Sequence, residues 1–335
     1  MVMKNELVSV ILPVYKTEQY LERAINSVAN QDYDAIEMIV VDDASPTSSE
    51  QLYQELSSKY NNLRVIHHDV NKGLVSARNT GIKNASGRWI MFLDSDDIIY
   101  PGSIKSLVDS SCLHGTDVVL GSFSRNVNGQ VNIEYENVLD EGLYEINEFW
   151  GKVFEKIPLN IVSCIGTKLY SLDLLIKNNI WFSNDNKYNE DLAFVIDVLK
   201  HTKTISYIDK PVYEYFIRQT GSIQSSNRPE LFNYLYKTRM KLEEVMQQTG
   251  NARKQRIALN NMWLDICIVC LSEDYKYNLR VNDSFSSIIQ ANDVLNWVSN
   301  SQPQSIAKKV AKLVLCTKSK RIIEFMLSLA NRLRR

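Results

Sequence analysis

Through its first 120 residues the sequence alternates between two hydrophobic periods, and this alternation limits the possible folds more than any other feature. Short apolar runs rich in Val and Ile occur at residues 7–12, 36–41, 63–66, 89–93 and 118–120. They are too short for stable helices and read as strands buried on both faces. Stretches of helical period lie between them. Leu21, Ala24, Ile25 and Val28 share one face, and Leu74, Ala77, Gly81 and Ile82 share another. Leu52, Leu56 and Tyr60 make a third, with Ser48 and Gln51 spaced as a capping box. Strand–helix–strand alternation predicts an α/β domain, a parallel sheet with helices on both faces. Ligands of such sheets bind beyond the carboxyl ends of the strands.

Polar residues cluster where those ends fall. Pro13-Val14-Tyr15-Lys16 follows the first run, Asp42-Asp43-Ala44-Ser45 the second, and Asp94-Ser95-Asp96-Asp97 the fourth. In an extended segment Asp94 and Asp96 point to the same side. Carboxylates this close resist joint ionisation unless a cation sits between them. Oxygen-only donors suit Mg²⁺ or Mn²⁺, which also bind phosphate oxygens. The expected guest is a diphosphate bridged to the protein through the metal. A solvated turn is the competing reading of an isolated Asp-x-Asp. Its place after a buried strand, with Asp42 beyond a neighbouring one, disfavours that reading. In residues 71–81 (NKGLVSARNTG), Gly73 permits a tight turn before a helix. Arg78, with five donors, would reach the phosphates or the base from the helix face, although an isolated Arg is more often a surface residue. Neither a P-loop nor a GxGxxG motif occurs, which removes the main support for ATPase and dinucleotide-binding folds.

With 335 residues the chain exceeds one ordinary core. Near residue 225 the pattern becomes helical: Leu231, Leu235, Leu242 and Val245 form one stripe, and Leu259, Trp263, Ile266 and Cys270 another. The expected organisation is a catalytic domain over 1–225 and a helical domain over 226–335. Five cysteines, an odd number, argue against a disulfide framework, and Cys267-x-x-Cys270 lies inside an apolar run that reads as helix core. Net charge is −1, yet residues 301–335 hold nine Lys or Arg against Glu324 alone. Ile306, Val310 and Leu313, then Ile322, Phe325 and Leu329, recur at helical spacing among those cations. A basic amphipathic tail suits an anionic membrane surface, and a homo-oligomer contact is the alternative. Nucleic acid is not an expected partner, because aromatic residues are not interleaved with the cations. No secretory signal or membrane-spanning run is evident, so the expected location is cytoplasmic, peripheral at the inner face of the plasma membrane.

As a set and in their order, VSVILPVYK at residues 8–16, Asp42-Asp43-Ala44-Ser45, residues 71–81 and Phe92-Leu93-Asp94-Ser95-Asp96-Asp97 resemble the family 2 glycosyltransferases. Lys168-Leu169-Tyr170, Asn189-Glu190-Asp191-Leu192 and the segment from Tyr215 to Ile223 extend the resemblance more loosely to about residue 225. It implies a GT-A fold of Rossmann-like topology, with a mixed, mostly parallel sheet, and inverting transfer from a UDP-sugar to a glycan acceptor, lipid-linked or on a glycoprotein. Under it, Pro13, Val14 and Tyr15 line the uracil pocket and Asp42 accepts from the uracil ring. Asp94 faces the ribose or sugar, Ser95 belongs with the same contacts, and Arg78 lies near the nucleotide. Asp96 binds Mn²⁺ or Mg²⁺, and Arg218 and Ser222 close over the diphosphate. Asp191 matches the catalytic base, although acids are common in a first helical turn for electrostatic reasons alone. The competing functions are a sugar nucleotidyltransferase and a non-catalytic glycan-binding or scaffold subunit.

Overall fold

The computed structural model describes residues 6–46, 49–134, 138–155, 159–186, 188–217, 228, 230–249, 253–278, 280–281 and 283–333. The chain divides into two compact units: Met1–Phe149 with Ile157–Asn184 and Glu190–Gln219, and Trp150–Lys156 with Asp185–Asn189 and Thr220–Arg335.

The first unit is built on one mixed sheet. Strands β1 (Val8–Val14), β2 (Ile36–Asp42), β3 (Leu63–His67) and β4 (Trp89–Phe92) run parallel in the order β3-β2-β1-β4. All seven residues of β1 are buried, so both faces of the sheet are covered there. The register pairs Val14 with Asp42 and Asp42 with His67, which aligns the carboxyl ends of these strands along one edge.

Helices α1 (Glu18–Ala29), α2 (Glu50–Lys59) and α3 (Leu74–Asn84) connect the parallel strands. Helix α1 buries Leu21, Ala24, Ile25 and Val28, the face its periodicity predicts. Helix α2 buries Tyr53 and Leu56; Ser48, expected to cap it, lies outside the described residues, and Gln51 bonds Glu55 instead of closing a capping box. Helix α3 packs very closely on β1. A Cβ added at Gly81 would stand 2.3 Å from a methyl of Ile11, so only glycine allows this approach.

Beyond β4 the sheet turns mixed. It continues through β5 (Ile98–Ile99), β6 (Val118–Val127), β7 (Gln130–Glu134), β8 (Gly142–Glu145), β9 (Lys168–Ser171) and β10 (Thr204–Ile217). Strand β9 is antiparallel to both β4 and β6, whereas β6 and β10 run parallel. Helices α4 (Ser103–His114), α5 (Ile146–Glu155), α6 (Leu159–Ser163), α7 (Leu172–Lys177) and α8 (Glu190–Lys200) link these strands.

The second unit is helical: α9 (Leu231–Gln248), α10 (Arg253–Asn278), α11 (Asp283–Gln290), α12 (Asn292–Ser299), α13 (Ile306–Cys316) and α14 (Lys320–Leu333). Its core joins Trp263, Leu264, Cys267 and Leu271 of α10 to Ile288, Val294 and Val298. Both members of the Cys-x-x-Cys are buried there as free thiols, and burial pushes the Cys267 thiol up to about 12. Cys112 and Cys316 are exposed free thiols. Among the described residues no helix is long and apolar enough to cross a membrane.

Candidate active site

The carboxyl edge of β1 and β2 carries two sharp corners. Lys16 and Ala44, neither of them glycine, adopt left-handed backbone angles with φ of 58° and 54°. Such conformations cost about 1–3 kcal/mol each and collect at ligand-binding sites. Between the corners, Pro13 and Val14 are buried and Tyr15 projects its ring, 41% exposed. Asp42 is held from both sides. Its Oδ1 accepts from the Ser45 backbone N–H at 3.1 Å, and its Oδ2 lies 3.2 Å from His67 Nδ1. A carboxylate offers about four lone-pair sites, so Asp42 keeps capacity for an incoming donor.

Asp43 faces the opposite way, as adjacent residues of an extended segment do. It is buried and accepts from the Lys72 N–H at 2.8 Å, the Gly73 N–H at 2.7 Å and the ring of His68 at 2.7 Å. His68 in turn meets the Thr80 hydroxyl at 2.9 Å. This network shapes the loop that leads into α3, where Gly73 takes φ 86°. Neither Asp43 nor His68 stands out in the sequence as a single residue, since an Asp-Asp pair does not reveal which member turns inward.

The acidic segment after β4 is a turn and not the extended run expected from its spacing. Strand β4 ends at Phe92, and the Asp97 N–H bonds the Asp94 carbonyl at 3.0 Å. The turn forms because Asp97 is pulled inside. Its carboxylate accepts from the Tyr213 hydroxyl at 2.6 Å and the Phe216 N–H at 2.8 Å. Burial, with the neighbouring charges of Asp96 and Asp94, pushes the Asp97 carboxyl well above the usual range. Gly166 makes room for that anchor, since a Cβ there would lie 2.2 Å from the Tyr213 ring. Ser95 is buried and bonds the Thr17 hydroxyl at 2.6 Å. Asp94 and Asp96 stay half-buried, and the Asp96 carbonyl accepts from Arg23.

The structure turns Arg78 inward and not onto a free helix face. It lies on the buried side of α3 at 1% exposure. A buried guanidinium needs partners. Its Nη1 donates to Asp191 at 2.5 Å and its Nη2 to Asp94 at 3.1 Å, with Glu190 at 3.7 Å. Burial opposes its charge, yet these carboxylates together hold its pKa above the ordinary arginine value. Asp191 occupies the first turn of α8 beside Glu190. Burial, against the lowering pull of Arg78 and with the help of Glu190 and Asp94, pushes Asp191 up to about 7. One cation thus joins an acid from the β4 turn to an acid from α8. Lys168 in β9 is also fully buried, donating to the Ile161 and Cys164 carbonyls at 2.9 and 2.7 Å. Arg218 and Ser222 lie outside the described residues.

Among the described residues no group of three or more His, Cys, Asp or Glu forms a ready metal cage. The half-buried carboxylate of Asp96 on the turn is an oxygen donor of the kind that suits a hard divalent cation.

The family model described as "Glycosyl transferase family 2" matches residues 9–172. The chain is 26% identical over 301 residues to the minor teichoic acid biosynthesis protein GgaB of Bacillus subtilis, covering 87% of this chain and 31% of that protein. It is 30% identical over 221 residues to the poly(ribitol-phosphate) beta-N-acetylglucosaminyltransferase TarS of Staphylococcus aureus, covering 65% of this chain and 37% of TarS. It therefore spans about a third of the length of these curated relatives. The crystal structure of S. aureus TarS 1-349 in complex with UDP-GlcNAc shares the fold with a TM-score of 0.72 at 21% identity, covering 98% of this chain and 92% of that one.

Proposed function

We propose that the chain, which the glycosyl transferase family 2 model matches over residues 9–172, is an inverting transferase of that family. It moves a hexose or N-acetylhexosamine from a UDP-sugar to a hydroxyl of a bacterial surface glycopolymer. The observation that carries this reading is the meeting of Asp94 and Asp191 on one guanidinium beside the carboxyl edge of the parallel strands. The chemistry named for the relatives supports a teichoic-acid-like or glycan acceptor. The UDP-GlcNAc in the similar structure supports a UDP-linked donor.

Asp191 takes the proton of the acceptor hydroxyl, whose oxygen attacks the anomeric carbon opposite the diphosphate. The bond to UDP breaks as the new C–O bond forms, so an α-linked donor yields a β-linkage. The sugar passes through a state of oxocarbenium character, as in glycoside hydrolysis. A base near pKa 7 is ionised in a useful fraction at neutral pH and still strong enough to accept a proton. Pro13, Val14 and Tyr15 enclose the uracil, Asp42 accepts from its ring N–H, and Asp94 and Ser95 face the ribose and sugar. Arg218 and Ser222 are assigned to the diphosphate. A Mn²⁺ or Mg²⁺ ion held by Asp96 would neutralise charge growing on the leaving diphosphate.

A panel of UDP-sugars assayed with Mn²⁺ tests the reading, with products identified by mass spectrometry. UDP release with a glycosylated acceptor is expected. Pyrophosphate release from UTP and a sugar phosphate would instead identify a nucleotidyltransferase. Binding of a UDP-sugar without turnover would identify a scaffold subunit.

The reading extends to an anionic membrane surface as the seat of α13 and α14. Ile306, Leu313 and Phe325 are 79%, 68% and 66% exposed, and their stripes run beside Lys308, Lys309, Lys312, Lys320 and Arg321. Buried apolar area plus attraction to acidic lipids supports such binding. Co-sedimentation with anionic vesicles is expected, weakened by salt and lost in a Leu313→Glu, Phe325→Glu variant. Self-association abolished by the same variant, without vesicle binding, would assign the face to a second copy.

A further inference from the structure

We infer that Arg78 is a positioning residue for the base: together with Asn79 it grips helix α8 from α3 and holds the Asp191 carboxylate in register with Asp94. The inference deepens the transferase reading and rests on Asp191 as the base.

The two residues hold α8 in different ways. Arg78 spans Asp191 at 2.5 Å and Asp94 at 3.1 Å with its two terminal nitrogens. Its planar fork sets the separation and orientation of both acids, which a single ammonium could not do. At 1% exposure it is sealed below the surface and can act on a substrate only through those acids. Asn79 uses both ends of its amide on one backbone position. Its Nδ2 donates to the Phe182 carbonyl at 2.9 Å, and the Phe182 N–H donates to its Oδ1 at 3.0 Å. The Phe182 ring stacks on Phe194 with centroids 4.0 Å apart and planes 5° from parallel. Phe194 belongs to α8, three positions beyond Asp191. The guanidinium of Arg78 lies 5.2 Å from the same Phe182 ring. Helix α3 therefore fixes α8 through charge at its first turn and through stacked rings on its buried face.

Among the described residues, the charged groups that act on Asp191 include Arg78 from α3, Asp94 from the β4 turn and Glu190 from its own helix, with Lys168 from β9. The buried Cys164 and Tyr170 also sense its charge. Of these, Arg78 alone bonds the carboxylate directly. Loosening that bond removes a lowering influence and moves the titration of Asp191 upward.

The test compares pH–rate profiles, kcat and donor KM of wild type, Arg78→Lys and Asn79→Ala, with a melting curve and UDP titration for each. In Arg78→Lys, kcat falls roughly a hundredfold with little change in donor KM, because misplacement of a reacting group by about 1 Å costs that much. Its acid limb moves up by about one pH unit, as expected when one charged contact is weakened. In Asn79→Ala, kcat falls about tenfold, a loss of 1.4 kcal/mol from displacing α8, while the limb stays where it was because no charge has changed. A purely structural role would lower the melting temperature and the active fraction and leave the limb in place. A wild-type limb in Arg78→Lys therefore overturns the proposal. If that variant does not fold, wild-type kcat in Asn79→Ala overturns it. Should Asp191→Asn turn over normally, the base reading itself fails. Should Asp191→Asn be inactive and both α3 variants behave as wild type, only the positioning role fails.

Discussion

Arg78 in the first unit and Arg239 in the second are equally buried, at 1% and 2% exposure, yet their surroundings differ. Arg78 bonds two carboxylates that are themselves about one-third exposed, so the charge it stabilises stays accessible to a ligand. Arg239 donates to the Leu259 carbonyl at 2.8 Å; among the described residues its Nε and Nη1 find no hydrogen-bond partner, whereas in Arg78 only Nε does not. The acid beside it, Glu243, already accepts from Trp263 at 2.9 Å and Arg256 at 2.5 Å. Burial consequently draws Arg239 below the ordinary arginine value, while Arg78 stands above it. Perturbed charges of both kinds occur in folded proteins; here the acids of Arg78 are half-open to a ligand, whereas Glu243 beside Arg239 is enclosed and shared.

Four experiments bear on that contrast. Asp191→Asn should lower transfer by about 10²–10⁴-fold, the usual worth of a general base, with UDP affinity by calorimetry nearly unchanged. Turnover at the wild-type rate would remove the distinction between the two arginines. In the wild type, kcat/KM should rise with pH through about 7 and then level off, since the base must be ionised to work. A flat profile from about pH 5 to 8 would count against Asp191, because a group near 7 titrates within that window. Gly81→Ala, which drives a methyl into Ile11 and pushes α3 outward, should cost about 1–3 kcal/mol in urea unfolding. It should also lower kcat, because α3 carries Arg78. Arg239→Met should cost about 1–3 kcal/mol, the range for a lost buried hydrogen bond, and leave kcat per folded molecule unaltered. A fall in kcat there would show that the second cation has a catalytic share.

The parallel half of the sheet was legible because hydrophobic period determines it directly. The buried faces of α1 and α3 follow from residue spacing, and the edge bearing Asp42 and Asp94 follows from where the apolar runs stop. In the mixed half the apolar run at 118–120 marks the start of β6, but the strands that follow are not marked in this way. Strand β10 contains Asp209, Lys210 and Pro211, where its pairing with β6 shifts register, and β9 opens on a buried lysine that reads as a surface residue. The acidic turn was found in sequence but its shape was not, because the cause is a tyrosine more than a hundred positions away. The sequence marks Arg78 as a nucleotide-side residue on a helix face but does not show that it points inward. Its inward course depends on acids supplied by a distant helix, which no local pattern encodes. The roles given to Pro13, Val14, Tyr15, Asp42, Ser95 and Asp96 remain proposals that ligand-bound structures and substitutions can test.

The distribution of thiols offers a practical handle. Cys112 on α4 and Cys316 on α13 are accessible, one in each compact unit, whereas Cys267 and Cys270 are enclosed. Burial also holds the Cys164 and Cys267 thiols at about 12, far from the thiolate form that reacts with electrophiles. Maleimide fluorophores should therefore mark the native chain at two places without cysteine engineering. The pair would serve as a molecular ruler for following the separation of the two units while a nucleotide-sugar is added.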